Sequence, residues 1–290
     1  MASLRDIKKR INSVKSTQKI TKAMKMVAAA RLKRAQDNIL MARAYAERLQ
    51  AVISSIAARI ETKTHPLLED REEKNKLLML VFTSDRGLCG TFNSALLKQV
   101  EAYVAEKRNT YGEEICLMVV GRKGVEYLKK RNYNVIDSWT NIYQKEQYET
   151  ARTIGEKIID SFTNHQCDEV VIVYNRFRSA ISQVPTFAKL LPLEPIIENP
   201  DLPLTDYIYE PDKQTLLNEL LPRNVYTQIH RAILESIASE LGARMTAMDN
   251  ATNNAIEMVD RLTLLFNKTR QAAITKELME IIGGAEAIKK

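Results

Sequence analysis

Ala28-Ala29-Ala30-Arg31-Leu32-Lys33-Arg34-Ala35-Gln36-Asp37-Asn38-Ile39-Leu40-Met41-Ala42-Arg43-Ala44-Tyr45-Ala46 places apolar residues at Ala28, Leu32, Ala35, Ile39, Ala42 and Ala46, in alternating steps of four and three. That spacing is a heptad seam, the pattern of a helix that buries one stripe against another helix. It extends back through Val14, Ile11, Ile7 and Leu4, and onward through Leu49, Ile53, Ile56 and Ile60. With no Pro or Gly inside it, the pattern predicts one helix from about Ser3 to Glu61, on the order of 85 Å at 1.5 Å per residue, which Pro66 ends. Gln18, Thr21 and Lys25 occupy seam positions in the most basic stretch. The pairing there is expected to be weak, or supported from outside.

A second seam follows Pro222: Leu234, Ile237, Leu241, Met248, Ala251, Ala255, Met258, Leu262, Leu265, Ala272 and Met279, with Arg244, Thr269 and Lys276 as polar interruptions. Gly283 and Gly284 are read as its stop. Helices this long are poorly stable unpaired. The two terminal helices are therefore expected to pack on each other, antiparallel because a globular segment lies between them.

That segment carries short apolar runs suited to strands buried on both faces: Leu77 to Phe82, Ile115 to Val120 and Glu169 to Tyr174. Helix-like stretches around 93–107, 122–131 and 147–163 separate them, which is the α/β signature with a parallel sheet. Arg178 to Leu191 is a candidate edge strand. The proline-rich run from Leu193 to Pro211 reads as an irregular connection. The expected organisation is an N-terminal coiled-coil helix (1–62), a Rossmann-like α/β domain of mostly parallel strands (76–195), a connection (196–222) and a C-terminal coiled-coil helix (223–290).

The 290 residues suffice for a large core, in one large domain or two units. Cys89, Cys116 and Cys167 are far apart, with no CxxC pair. Neither a disulfide framework nor a zinc site is supported, and a reducing compartment fits best. His65, His165 and His230 are scattered and receive no chemical role. No apolar run is long enough to span a bilayer, and the basic amphipathic start runs on too far to be a cleavable leader.

The net charge of +7 is concentrated: residues 1–50 hold thirteen Lys/Arg against Asp6, Asp37 and Glu47. Such a stripe implies an acidic partner, whether nucleic acid, an anionic membrane surface or an acidic protein ring. Residues 5–34 lack any aromatic side chain to stack on bases. The turn Thr83-Ser84-Asp85-Arg86-Gly87-Leu88-Cys89-Gly90-Thr91 follows the first strand and opens a helix, where open α/β sheets take phosphates. It lacks both the G-x-G-x-x-G and the Gly-Lys-Ser/Thr spacing, so a tight turn is the better reading. Cys89 near a helix start is a candidate for a lowered thiol pKa. No complete catalytic constellation, cofactor site or metal cluster is evident.

Three separated motifs then fall in order. The run Ile20-Thr21-Lys22-Ala23-Met24-Lys25-Met26-Val27-Ala28-Ala29-Ala30-Arg31, the turn Ser84-Asp85-Arg86-Gly87-Leu88-Cys89-Gly90, and the ending from Asn267-Lys268-Thr269-Arg270-Gln271-Ala272-Ala273-Ile274-Thr275-Lys276-Glu277 to Ala287 together resemble the gamma subunit of F-type ATP synthases, bacterial type, over essentially the whole chain. The resemblance implies a non-catalytic rotor shaft with no cofactor, one copy per complex, inside a ring of three alpha and three beta subunits. It implies coupling of ion flow through a membrane c ring to ATP synthesis and hydrolysis at the beta sites, and regulation of ATPase activity. It places the chain peripherally on the cytoplasmic side of the cell membrane, attached only through the c ring. Lys9 and Met24, assisted by Lys22 and Lys25, and Arg270, Gln271, Thr275 and Glu277 are implied beta-subunit contacts. Tyr207, Tyr209 and Glu210 are implied contacts of the c ring and the epsilon subunit. The connection carries no inserted dithiol segment, so thiol switching is not expected. A coiled-coil nucleic-acid binder and a dinucleotide enzyme are the rival classes.

Overall fold

The computed structural model describes residues 3–57, 65–71, 74–142, 147–193 and 212–288. Among them are two long helices, α1 (Leu4–Ala57) and α5 (Lys213–Ile288). Between these lie β1 (Leu77–Phe82), α2 (Phe92–Tyr111), β2 (Ile115–Val120), α3 (Arg122–Lys130), β3 (Val135–Trp139), α4 (Gln147–Thr163), β4 (Glu169–Ser179) and β5 (Ser182–Leu191). The chain divides into two compact units, Met1–Ala28 with Met245–Lys290, and Ala29–Arg244, so each long helix contributes to both.

Within Ala29–Arg244 the strands form one sheet in the order β3-β2-β1-β4-β5. All neighbours are parallel except β4 and β5, which pair antiparallel. The fold is therefore α/β, with a mostly parallel Rossmann-like sheet. Alternation along β1 divides the core. Leu77, Met79 and Val81 face Leu96, Leu97, Val100 and Val104 of α2 and Leu128 of α3. On the other face Leu78, Leu80 and Phe82 meet Ile154, Ile158 and Phe162 of α4, Leu49, Ile53 and Ile56 of α1, and Leu217, Leu221, Val225 and Ile229 of α5. Being covered on both sides, β1 is fully buried, as a central parallel strand should be.

Four details depart from the sequence reading. Helix α5 starts at Lys213 and continues through Pro222 rather than beginning after it. A proline inside a helix costs about 3 kcal/mol, and complete burial of Leu217, Leu221 and Val225 against the sheet offsets this. The helix also runs past Gly283 and Gly284 to Ile288, because glycine weakens a helix without removing its N–H. Strand β3 was not anticipated, since Val135-Ile136-Asp137-Ser138-Trp139 is a polar, half-exposed edge. The expected edge strand is β5, which begins at Ser182 because β4 continues to Ser179. Residues 58–64, where the end of the first helix is expected, lie outside the described residues; Pro66 opens a single 3-10 turn, with His65 Nδ1 accepting from the Leu67 N–H.

Two polar ties hold this unit. Glu235 of α5, fully buried, accepts from Arg43 Nε of α1 at 2.7 Å and from the Phe177 N–H of β4 at 2.8 Å. One carboxylate thus joins both long helices to the sheet. Arg71 donates to Asp168 Oδ1 at 2.8 Å and to the carbonyls of Phe162 and Cys167. Close approach explains two glycines. Gly121 has φ of 99°, and a Cβ there would lie 2.1 Å from the Thr83 carbonyl oxygen; at Gly242, α5 passes the Ala180 backbone, which a Cβ would meet at 3.1 Å.

Removing one partner of a buried pair strands the other. Arg43→Met is expected to lower stability by about 3 kcal/mol in urea unfolding, and adding Glu235→Gln, which still accepts from Phe177, should recover more than half of the loss. Burial pushes the Asp168 carboxyl up, but the hydrogen bonds from Arg71 and from the Asn75 and Lys76 N–H groups outweigh it, so the group sits below the usual carboxylate range. An acid whose folded pKa is lowered stabilises above its unfolded pKa, and that contribution disappears as pH falls through the folded value. The stability gap between wild type and Asp168→Asn should therefore be full at pH 6 and close on acidification below about pH 4.

Candidate functional site

The unit formed by Met1–Ala28 and Met245–Lys290 carries most of the residues singled out in the sequence. Helix α1 is capped by Ser3, whose hydroxyl accepts from the Asp6 N–H and donates to the Asp6 carboxylate. Its seam follows the sequence residue by residue: Ile7, Thr21 and Ala28 are buried, while Leu4, Ile11, Val14, Gln18 and Lys25 are half-buried.

Two contacts set the register. Thr21 Oγ1 and Thr252 Oγ1 share a buried hydrogen bond of 2.8 Å, and Lys25 Nζ meets Asp249 Oδ1 at 2.6 Å. Rising numbers on α1 meet falling numbers on α5, so the pair is an antiparallel coiled coil. The polar interruption at Gln18, Thr21 and Lys25 is a layer with its own partners. Thr252 donates to the Met248 carbonyl at 2.7 Å, which leaves Thr21 as the donor between the two threonines, so neither hydroxyl is stranded.

On α5 the inward positions are Met248, Thr252, Ala255, Val259, Leu262, Phe266, Thr269 and Ala273. Ala255, Leu262 and Thr269 are where the expected second seam had them, and the rest of that seam after Met248 is corrected. Met258, Leu265 and Met279 are 50%, 48% and 65% exposed, and Ala272 is also exposed. The strict 3.5-residue repeat outranks the choice of apolar side chains, so Thr252 rather than Ala251 fills the layer.

Continuing this register puts Leu4 level with about Thr269, and the remainder of α5 has no described helix beside it. Arg270, Gln271, Thr275 and Glu277 are all exposed there. At about 100° per residue they share an arc of about 160° with Ile274, Leu278, Ile281 and Ile282, which are 48%, 53%, 68% and 57% exposed. The arc points away from the seam positions Thr269 and Ala273. Lys9 and Lys22 are exposed on α1, and Met24 is half-buried beside the seam. Lys9 and Met24 are about 22 Å apart along the axis. The structure therefore does not gather these residues into one pocket; it distributes them along the helix pair and its single-helix end. The sequence reading missed Asp249, Thr252 and the exposed isoleucines. A strictly kept heptad would have found the first two, and apolar residues off the seam are the signal for the rest. Tyr207, Tyr209 and Glu210 lie outside the described residues.

The turn after β1 is occupied by its own chain. Asp85 accepts from the N–H groups of Arg122 and Asn141, and Asn93 Oδ1 accepts from the Ser84 N–H. Leu88 and Gly90 have positive φ. Burial pushes the Cys89 thiol up, the reverse of the lowered value expected from its place near a helix start. Burial likewise lowers His65 and His230, favouring the neutral ring. No group of His, Cys, Asp or Glu suited to a metal ion occurs among the described residues.

Residues 3–288 match the family model described as ATP synthase. The chain is 51% identical over 290 residues to the ATP synthase gamma chain of Trichlorobacter lovleyi, with 100% of each chain covered. The chain belongs to the ATP synthase gamma-chain family. A central stalk and c-ring structure of Tetrahymena thermophila mitochondrial ATP synthase contains a chain that is 27% identical, with a TM-score of 0.61, covering 80% of this chain and 99% of that one. A Euglena gracilis mitochondrial ATP synthase structure shares the fold with a TM-score of 0.71 at 22% identity, over 98% of this chain and 94% of that one. The role is that of the gamma-chain family, a subunit of ATP synthase. Nothing in these relatives supports the nucleic-acid reading. No described helix is long and apolar enough to cross a membrane.

Thr21→Val should cost about 1 kcal/mol, read as faster amide exchange across residues 14–28. Lys25→Ala, breaking a pair that is about two-fifths exposed on each side, should cost less than about 1 kcal/mol and nothing in high salt.

Proposed function

We propose that this helix pair turns as the central shaft within a ring of three alpha and three beta subunits, one copy per complex. The chain itself is non-catalytic and needs no cofactor. Its foot meets the epsilon subunit and the c ring through Tyr207, Tyr209 and Glu210, and holds it peripherally, on the cytoplasmic side, without entering the bilayer. Ion flow through the c ring rotates the shaft, and its changing face drives the beta sites through binding, synthesis and release of ATP. Run in reverse, the same coupling sets the rate of ATP hydrolysis.

The observation that carries this reading is the end of α5. A single helix with Ile274, Leu278, Ile281 and Ile282 exposed on the arc of Arg270, Gln271, Thr275 and Glu277 needs an apolar sleeve with polar partners around it. Lys9, Met24, Lys22 and Lys25 present a second, basic contact level to acidic segments of the beta subunits. Rotation does work only if each beta conformation binds a different face of the shaft with different free energy. The helix pair meets this requirement because its faces differ: basic along α1, and mixed apolar and polar at the tip.

The test is ATP hydrolysis with size analysis on the chain alone, on alpha and beta subunits, and on the mixture. The chain alone should be inactive, and the mixture should form a complex with one copy of it and sustain turnover; no complex and unchanged turnover would remove the shaft reading. In that mixture Arg270→Ala should lose about 2 kcal/mol of interaction, while Lys9→Ala should lose under about 1, measured as the concentration of chain needed for half-maximal turnover.

A further inference from the structure

In the unit Ala29–Arg244, the turn after β1 and the adjoining lengths of α1 and α5 enclose a cavity of about 450 Å³, lined in part by Arg31, Arg34, Asp85, Arg86, Glu240 and Arg244. Its place in the fold is informative. Strand β1 is the point from which the sheet runs in two directions, through β2 to β3 on one side and through β4 on the other. The crevice beyond the carboxyl ends of strands at such a reversal is where open α/β sheets take ligands.

The charges are unevenly committed. Both Asp85 oxygens are engaged, accepting from the Arg122 N–H at 3.1 Å and the Asn141 N–H at 2.9 Å. Glu240 pairs with Arg244, whose Nη2 also donates to the Gly87 carbonyl at 3.1 Å and so steadies the turn that carries Arg86. Arg31, Arg34 and Arg86 have no carboxylate partner among the described residues. Arg31 and Arg34 are three apart on α1 and share a face. Backbone N–H groups hold Asp85 without cancelling its charge, so the three guanidinium forks, the group best shaped to hold phosphate oxygens in pairs, outnumber the one remaining carboxylate charge and leave the cleft net positive.

The lining also says which phosphate. No aromatic side chain borders the cleft to stack on a base, and its two carboxylates are already occupied and unavailable to a ribose. The volume exceeds that of a single phosphate. We propose that this cleft binds a compact multivalent phosphate, such as pyrophosphate or a short inorganic polyphosphate, through Arg31, Arg34 and Arg86. Such an anion would bridge α1 to the turn after β1.

Titration calorimetry of the full chain with pyrophosphate and with tripolyphosphate, in metal-free buffer at physiological ionic strength, tests this. Saturable one-site binding is expected. It should weaken at least tenfold in Arg31→Gln with Arg34→Gln and in Arg86→Gln, and stay unchanged in Arg10→Gln, an exposed arginine elsewhere on α1. The charge-preserving pair Arg31→Lys with Arg34→Lys guards against a folding defect and should still weaken binding several-fold. Absence of saturable binding, equal loss in Arg10→Gln, no effect of the lysine pair, or ADP binding more than tenfold tighter than pyrophosphate would each overturn the proposal.

Discussion

A helix of 54 or 76 residues cannot hide its own apolar seam, and every other feature of this chain follows from how that exposure is resolved. Over residues 29–57 the first seam is buried, and Leu49, Ile53 and Ile56 share the core of one face of the sheet. Over residues 3–28 only the other helix is available, and the pairing is thinner. There the buried side chains are few, and the middle layer is a threonine pair flanked by a lysine and an aspartate. A polar layer of this kind contributes little energy but fixes axial position, because sliding by one turn would bury a hydroxyl against an apolar neighbour and separate the charges.

The fold was legible wherever the physics was periodic. The first seam could be read residue by residue, polar interruption included, and the three central strands could be read from their uninterrupted apolar runs. The second seam could be read without error only to Met248, although Ala255, Leu262 and Thr269 were also placed correctly. Beyond it, apolar side chains at Met258, Leu265 and Met279 competed with the true heptad positions, and composition was the worse guide. Pro222 looked like a boundary because local propensity cannot anticipate how much apolar area Leu217 and Leu221 bury. Strand β3 left no mark because an edge with alternating exposure resembles a loop.

The proposed contact residues entered by a different route. Lys9, Arg270 and Glu277 came from a family resemblance, and periodicity alone would have assigned them to solvent. An exposed arginine awaiting a partner and one that is merely hydrated have the same sequence signature. The reading proposed for Arg270 rests on the company it keeps on the helix surface, four large aliphatic side chains on one arc, which is visible only once the register of the pair is known. Arg43 and Glu235 show the converse. Both read as ordinary charges on amphipathic helices, yet one carboxylate joins three elements in the core.

The register contacts also order events during synthesis. Thr21 and Thr252 are separated by 231 residues, so the helix around Thr21 leaves the ribosome long before its partner is made. Closing so long a loop directly is entropically expensive. Arg43 and Glu235, 192 residues apart, close most of it when the sheet assembles, after which the coil can zip outward from short remaining arms. The nascent basic helix must therefore wait, with its seam uncovered, until the residues around Thr252 have been translated.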